Sequence, residues 1–117
     1  MNDTLDDTVI LIASDRLGRG DDDLGAALML AAIKTLPKTD GPPPSHILFM
    51  NAGVKLCCAG SKALADLRAL AAAGVELLNC GTCLDWFDLK DALEVGRASN
   101  MKEILELQKR AGRVVRL

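Results

Sequence analysis

The chain has 117 residues, of which 50% are hydrophobic and 26% are charged; this length suits one compact domain over residues 1–117 and is too short for two. A net charge of −2 with one Trp and two Phe argues against a nucleic-acid partner, which a basic surface with stacking aromatics would bind. The longest apolar stretch is about half of a bilayer span, so no membrane segment is predicted. The N-terminus is acidic where a secretory signal would be basic, and we expect a cytoplasmic protein with reduced thiols.

Five short apolar runs, most of them rich in β-branched residues, predict strands. They follow residues 1–7, which we expect to be flexible. In chain order the predicted strands are Thr8–Ala13, His46–Met50, Gly74–Asn79, a weaker Glu94–Gly96, and Arg113–Leu117. The runs are continuous rather than alternating, which is typical of strands buried on both faces.

Three helical patterns lie between these strands, at Asp22–Leu36, Ser61–Ala73 and Asn100–Arg110. The first is apolar nearly all round, which predicts a helix covered on more than one side. The third begins with Asn100 as its N-cap. Strands that alternate with helices predict an α/β fold: a three-layer α/β/α sandwich with a mainly parallel five-stranded sheet.

Charge is distributed unevenly along the chain. Residues 1–25 contain seven Asp and two Arg, a net charge of −5, whereas residues 101–117 contain five Lys or Arg and two Glu, a net charge of +3. Together with the apolar first helix, this leads us to expect a homo-oligomer. Two solvated faces are an alternative explanation of the charges.

The glycine-rich segment after the first strand, residues 14–25, does not have the pattern of a phosphate-binding loop. It contains neither GxGxxG nor GxxxxGK[ST]. Asp21–Asp23 stand where the helix begins, and their carboxylates occupy the positive end of its dipole and repel an anion. We interpret them as residues that compensate the dipole, with a subunit contact or a binding edge as the alternative.

Cys80 and Cys83 form a CxxC directly after the third predicted strand. Ligands of open parallel sheets bind beyond the carboxyl ends of the strands, and backbone N–H groups at a strand-to-helix turn favour a thiolate. Cys80 is therefore a candidate nucleophile. The same spacing fits a dithiol that cycles with a disulfide, half of a zinc site, a carrier thiol with a neighbour, or two structural cysteines.

The other metal-ligand residues argue against a metal site. Cys57 and Cys58 are adjacent, and neighbouring side chains rarely reach one ion, so we expect no metal. The one histidine, His46, precedes the second strand and should lie at the opposite end of the sheet. Its position also disfavours a Cys-His or Ser-His-Asp hydrolase.

Candidate binding residues come from the segments after the second and third strands. Lys55 would lower the pKa of the Cys80 thiol if it lay close to it, and a solvated lysine is the alternative. No cofactor is expected. The candidate binding residues are Asn51, Gly53, Lys55, Gly81 and Thr82.

These motifs, in this order, resemble the C-terminal domain of YedF-like selenium-metabolism proteins, a branch of the DsrE/DsrF-like superfamily. The resemblance extends from Thr8 to Leu107. The segments that carry it are residues 14–25, 47–56, 60–61, 80–85, 95–96 and 100–101. It implies a flavodoxin-like domain that assembles into oligomers and is related to sulfur-relay proteins, in which a cysteine after a central strand carries persulfide sulfur.

In this chain, the cysteine that the resemblance identifies is Cys80, with Cys83 as the second choice. Full-length relatives carry an N-terminal TusA-like domain with a Cys-Pro-x-Pro motif, which this sequence lacks. We therefore expect a sulfur or selenium donor or acceptor protein, such as a TusA-like one, to act in trans. Cys57 and Cys58 stand where relatives are expected to have polar residues.

The leading hypothesis is a sulfurtransferase-like carrier of sulfur or selenium, in which Cys80 accepts the atom and Cys83 assists or resolves. It requires an exposed, partly ionised thiol at Cys80. One alternative is a CxxC dithiol/disulfide redox protein, which is disfavoured because no thioredoxin-like helix clearly begins between the two cysteines. The other is a non-catalytic oligomeric assembly module whose cysteines are structural.

Overall fold

A computed structural model describes residues 7–117. The predicted flexibility of residues 1–7 falls, apart from Asp7, outside this range. Three short 3₁₀ helices cover Leu36–Lys38, Asn51–Cys57 and Lys90–Ala92. The strands and α-helices are β1 (Thr8–Ile12), α1 (Asp22–Thr35), β2 (His46–Phe49), α2 (Leu64–Ala72), β3 (Glu76–Cys80), α3 (Gly81–Trp86), β4 (Arg97–Ser99), α4 (Met101–Arg110) and β5 (Arg113–Arg116).

The five strands form one sheet in the order β4-β3-β2-β1-β5, and every neighbouring pair is parallel. The first three connections run in one direction across the sheet, and α1 and α2 pack against each other on one face. The connection from β4 to β5 runs back across the sheet, so a right-handed crossover places α4 on the other face. The predicted three-layer α/β architecture is confirmed.

The core lies on both sides of the three central strands. Nearly every residue of β2 and β3 is buried, as their continuous apolar sequences predicted. From the helices, Met29, Leu84 and Ile104 complete the core. Burying such a side chain contributes about 1.5–3 kcal/mol relative to leaving it in water.

Helix α1 is less covered than its apolar sequence predicted. It buries Gly25, Met29 and Ile33, whereas Leu24 is 57% exposed and Leu28 is 43% exposed. Within one chain, the prediction of a helix covered on more than one side is therefore wrong. The apolar residues of α1 extend round the helix to a face that no other element of residues 7–117 covers.

The fourth strand is displaced from its predicted position. Glu94–Gly96 is a turn, and the strand begins at Arg97. Val95 is apolar because it is buried against the sheet rather than because it is in a strand. Gly96 has φ +77°, and a Cβ there would stand 2.6 Å from the Leu77 carbonyl oxygen, so this close approach requires glycine.

Two further boundaries differ from the sequence-based predictions. β3 starts at Glu76 and continues through Cys80, and α2 starts at Leu64 rather than Ser61. The third helix was predicted correctly: the Asn100 side chain accepts a hydrogen bond from the Glu103 backbone N–H at 2.9 Å. Glu103 also forms a two-pronged ion pair with Arg97, which joins α4 to the edge strand β4.

Candidate functional site

The carboxyl ends of β2 and β3 bring two segments of the candidate site together. Phe49 pairs with Asn79 in the sheet, so the 3₁₀ helix that begins at Asn51 lies beside the CxxC that follows β3. The backbone N–H of Asn51 donates a hydrogen bond to the Sγ of Cys83 at 3.1 Å. Asn51 has φ +50°, a left-handed conformation that Asn tolerates better than most residues.

The two cysteines of the CxxC differ in exposure. Cys80 ends β3 and stands immediately before α3, and it is only 3% exposed because both faces of this strand are covered. Cys83 lies in the first turn of α3 and is half-buried. The expectation of an exposed thiol at Cys80 is therefore wrong for the single chain, and Cys83 has the more accessible sulfur. All four cysteines are free thiols.

Cys83 lines a cavity of about 350 Å³ at this edge of the sheet. Trp86, on its rim, is 83% exposed. Of the predicted binding residues, Asn51 and Thr82 line this cavity, whereas Gly53, Lys55 and Gly81 do not. The lining residues are Asn51, Thr82, Cys83, Trp86 and Phe87.

The three predicted binding residues outside the cavity have other positions. Gly53 and Gly81 allow close backbone approaches: a Cβ would stand 2.4 Å from the Ile12 carbonyl oxygen at Gly53 and 2.9 Å from the Ser99 carbonyl oxygen at Gly81. The Nζ of Lys55 lies 4.5 Å from the centre of the Phe87 ring, a cation–π contact. Its ammonium group therefore lies beside one wall of the cavity.

The surroundings of Cys83 favour a protonated thiol. Burial raises its pKa above the ordinary value of 9.0, and a hydrogen bond with Cys80 raises it further, whereas the Asn51 backbone N–H lowers it. The N–H lowers the pKa because it interacts more strongly with a thiolate than with a thiol. At neutral pH the sulfur is therefore mainly a thiol, beside a donor that stabilises its ionised form.

This raised pKa predicts the pH dependence of Cys83 reactivity. Alkylation by iodoacetamide proceeds through the thiolate, so its rate at Cys83 should increase by about tenfold per pH unit. The increase should continue beyond pH 9.0, the ordinary pKa of the group. Peptide mass spectrometry after timed labelling measures the rate, with glutathione in the same tube as the reference thiol. A plateau below pH 8 would contradict the raised pKa.

Cys57 and Cys58 lie apart from the cavity that Cys83 lines. The Cys58 thiol donates to the Val54 carbonyl oxygen at 3.2 Å and lines a second cavity of about 510 Å³. Cys57 is fully buried. Beside it lies Asn79, whose buried amide has no hydrogen-bond partner of good geometry within residues 7–117.

The burial of Cys57 should make the fold sensitive to alkali. Burial raises the pKa of this thiol from 9.0 to about 12, a rise that the Asn79 amide partly opposes. Above pH 9 the unfolded chain loses a proton that the folded chain retains, so this contribution to the free energy of unfolding is complete below pH 9 and is lost as the pH rises toward 12. The loss should be about 1.4 kcal/mol per pH unit.

Urea unfolding at pH 8, 9.5 and 10.5 measures this effect. The Cys57→Ala variant is the control, because it lacks the thiol while keeping the other groups that titrate in this range. Its free energy of unfolding should fall less steeply with pH than that of the wild type. Equal slopes for the two proteins would contradict the assignment.

The structure places no metal-binding cluster among residues 7–117, where no group of three His, Cys, Asp or Glu side chains could hold an ion. The Nε2 of His46 lies 2.9 Å from a carboxylate oxygen of Glu76. Both residues are at the start of their strands, so the histidine is at the end of the sheet opposite the cysteines, as predicted. No helix within the described range is long and apolar enough to cross a membrane.

The fold is similar to those of solved structures. The YchN protein of E. coli superimposes with a TM-score of 0.71 at 18% identity, covering 95% of this chain and 99% of that chain. MTH1491 from Methanobacterium thermoautotrophicum, a protein of unknown function, gives a TM-score of 0.68 at 20% identity and covers 94% of this chain and 97% of its own. These likenesses confirm the predicted flavodoxin-like, DsrE-like fold. No protein-family profile matches the chain, and no curated protein is similar to it in sequence.

Proposed function

We propose that this chain is a sulfurtransferase-like carrier that holds persulfide sulfur, or its selenium counterpart, on Cys83. The observation that carries the proposal is the pair of hydrogen-bonded free thiols, one of which lines a cavity and accepts a backbone hydrogen bond. The DsrE-like fold and the resemblance of the CxxC segment to the YedF-like branch support it. The resemblance favours Cys80, but exposure favours Cys83 as the residue that first meets a donor.

The loading step needs no oxidant. The Cys83 thiolate attacks the outer sulfur of a donor persulfide, R–S–SH, and a new sulfur–sulfur bond forms as the bond in the donor breaks. The donor leaves as a thiolate and takes up the proton that Cys83 gave up. The products are R–SH and Cys83–S–SH, so atoms, charge and electrons balance.

The residues around Cys83 have distinct roles in this step. The Asn51 N–H, 3.1 Å from Sγ, stabilises the sulfur while it carries negative charge. Cys80 contacts the same sulfur from the buried side and acts as a positioning residue. Phe87 and Trp86 line the cavity and provide an apolar wall for the donor chain.

We propose that the donor or acceptor is a protein thiol carrier, such as a TusA-like protein, that acts in trans. The 83% exposed ring of Trp86 stands on the cavity rim, where an approaching partner would contact it. We also propose that the chain forms a homo-oligomer, which would cover the exposed residues Leu24 and Leu28 on α1.

A load-and-release assay tests the carrier function. The protein is incubated with glutathione persulfide, separated from the donor, and then mixed with an excess of dithiothreitol as the acceptor. Intact mass spectrometry should show the gain of one sulfur atom and then its loss as sulfide. If no sulfur is gained, or if the gained sulfur is not released to the thiol, the carrier function is wrong.

A dithiol/disulfide redox protein is the second candidate, because the two thiols are hydrogen bonded. The sequence argument against it is also corrected, since α3 begins at Gly81, between the cysteines. Disulfide formation removes two protons and two electrons and so requires an oxidant, whereas sulfur loading does not. Loading in an anaerobic solution without oxidant therefore distinguishes the two functions.

A further inference from the structure

A separate cleft of about 480 Å³ opens at the same carboxyl edge, where β1 and β5 end. Three of its seven lining residues are arginines, and among residues 7–117 no Asp or Glu lines it. Its lining residues are Ala13, Ser14, Arg16, Gly18, Arg19, Arg116 and Leu117. It shares no lining residue with the Cys83 cavity.

The strand order makes this a favourable place for a ligand. From β1 the chain moves across the sheet to β2, β3 and β4, whereas β5 returns to the other side of β1. The direction of the connections therefore changes between β1 and β5. In open α/β sheets, ligands bind in the crevice outside the carboxyl ends of the strands at such a point.

The arginines supply positive charge that the described chain only partly neutralises. Arg16 lies 3.6 Å from an Asp22 carboxylate oxygen, a weak and exposed pair. Arg19 and Arg116 form no salt bridge with a carboxylate of residues 7–117. Planar guanidinium groups donate paired hydrogen bonds that match the oxygens of a phosphate.

Ser14 adds a further donor to the cleft. Its Oγ accepts the Arg16 backbone N–H at 3.0 Å, which leaves the hydroxyl proton available for a ligand. The cleft is also separate from the N-terminus of α1, where the Asp21 side chain accepts the Leu24 N–H at 2.8 Å. The repulsion that argues against a phosphate at the helix start therefore does not exclude one between the arginines.

We propose that this cleft binds the phosphate group of a small organic phosphate, at a site separate from the cysteines. The volume exceeds that of one phosphate group, and Ala13, Gly18 and Leu117 supply apolar surface for the rest of the molecule. This inference does not depend on the sulfur-carrier function.

Titration calorimetry with inorganic pyrophosphate as the probe tests this site. The wild type should bind saturably, and a double variant carrying Arg19→Gln and Arg116→Gln should bind at least about tenfold more weakly. The matched control carries Arg110→Gln and Arg113→Gln, which remove the same charge outside the cleft, and should bind within about twofold of the wild type. Tricarballylate, a carboxylate of similar charge, should bind more weakly than pyrophosphate.

Amide NMR shifts of the wild-type protein provide a second measurement that requires no variant. On addition of pyrophosphate they should concentrate at Ser14, Gly18 and Arg19 and spare Cys83. The proposal is overturned if the wild type does not bind saturably, if both double variants weaken equally, or if tricarballylate binds as tightly. Shifts that lie elsewhere on the protein would also overturn it.

Discussion

Replacing Cys83 by serine is expected to reduce sulfur loading from glutathione persulfide to background. A hydroxyl at this position has the same hydrogen-bond neighbours, including the Asn51 N–H, but it is not ionised near neutral pH and cannot form a persulfide. The Cys80→Ser variant should load more slowly but to completion, because Cys80 only contacts the accepting sulfur. Intact mass spectrometry over time gives both rates.

The Cys58→Ser variant is the matched control for these experiments. Cys58 is also a free thiol that lines a cavity, but it contributes nothing to the Cys83 cavity, so its loss should leave the rate within about twofold of the wild type. Thermal unfolding shows that each variant is folded. Normal loading of Cys83→Ser together with abolished loading of Cys80→Ser would assign the carrier role to Cys80 instead.

The substitution Gly53→Ala should have the largest effect on stability. Its Cβ would stand 2.4 Å from the carbonyl oxygen and 3.1 Å from the carbonyl carbon of Ile12. Because these are backbone atoms at the end of a central strand, they cannot turn aside as a flexible side chain can. We expect the free energy of unfolding to fall by about 2–4 kcal/mol, as for other overpacked sites.

The same substitution should also slow sulfur loading, because Gly53 and Asn51 belong to one 3₁₀ helix and a shift of that helix moves the N–H that contacts Cys83. Urea unfolding and the loading rate measure the two effects. Ala59→Ser, at an exposed position after the same helix, is the control and should change stability by less than about 0.5 kcal/mol. An equally small change for Gly53→Ala would contradict the close approach.

Patterns that extend over many residues allowed the fold to be predicted from sequence. The apolar runs that became β1, β2 and β3 are buried on both faces, and this burial is the property that the runs report. The edge strand β4 was misplaced because Arg97 and Ala98 are exposed, so this strand has no apolar pattern of its own. The buried turn residue Val95 gave the only apolar signal nearby.

The candidate site was predicted less completely, because exposure depends on elements far apart in sequence. The position of the CxxC at the carboxyl edge followed from its place after a strand. However, β3 continues through Cys80 and buries it, while the unpredicted helix α3 carries Cys83 to the cavity. The Asn51 hydrogen bond joins residues 32 positions apart in sequence, and a backbone donor leaves no mark in the sequence of side chains.

Locating the added sulfur in the wild-type chain is the most direct measurement. After anaerobic loading and blocking of free thiols with iodoacetamide, fragmentation of the peptide that contains both CxxC cysteines assigns the extra sulfur to one of them. The carrier proposal predicts that the persulfide is on Cys83, with Cys80 alkylated or unmodified. A persulfide on Cys80, or on Cys57 or Cys58, would contradict it.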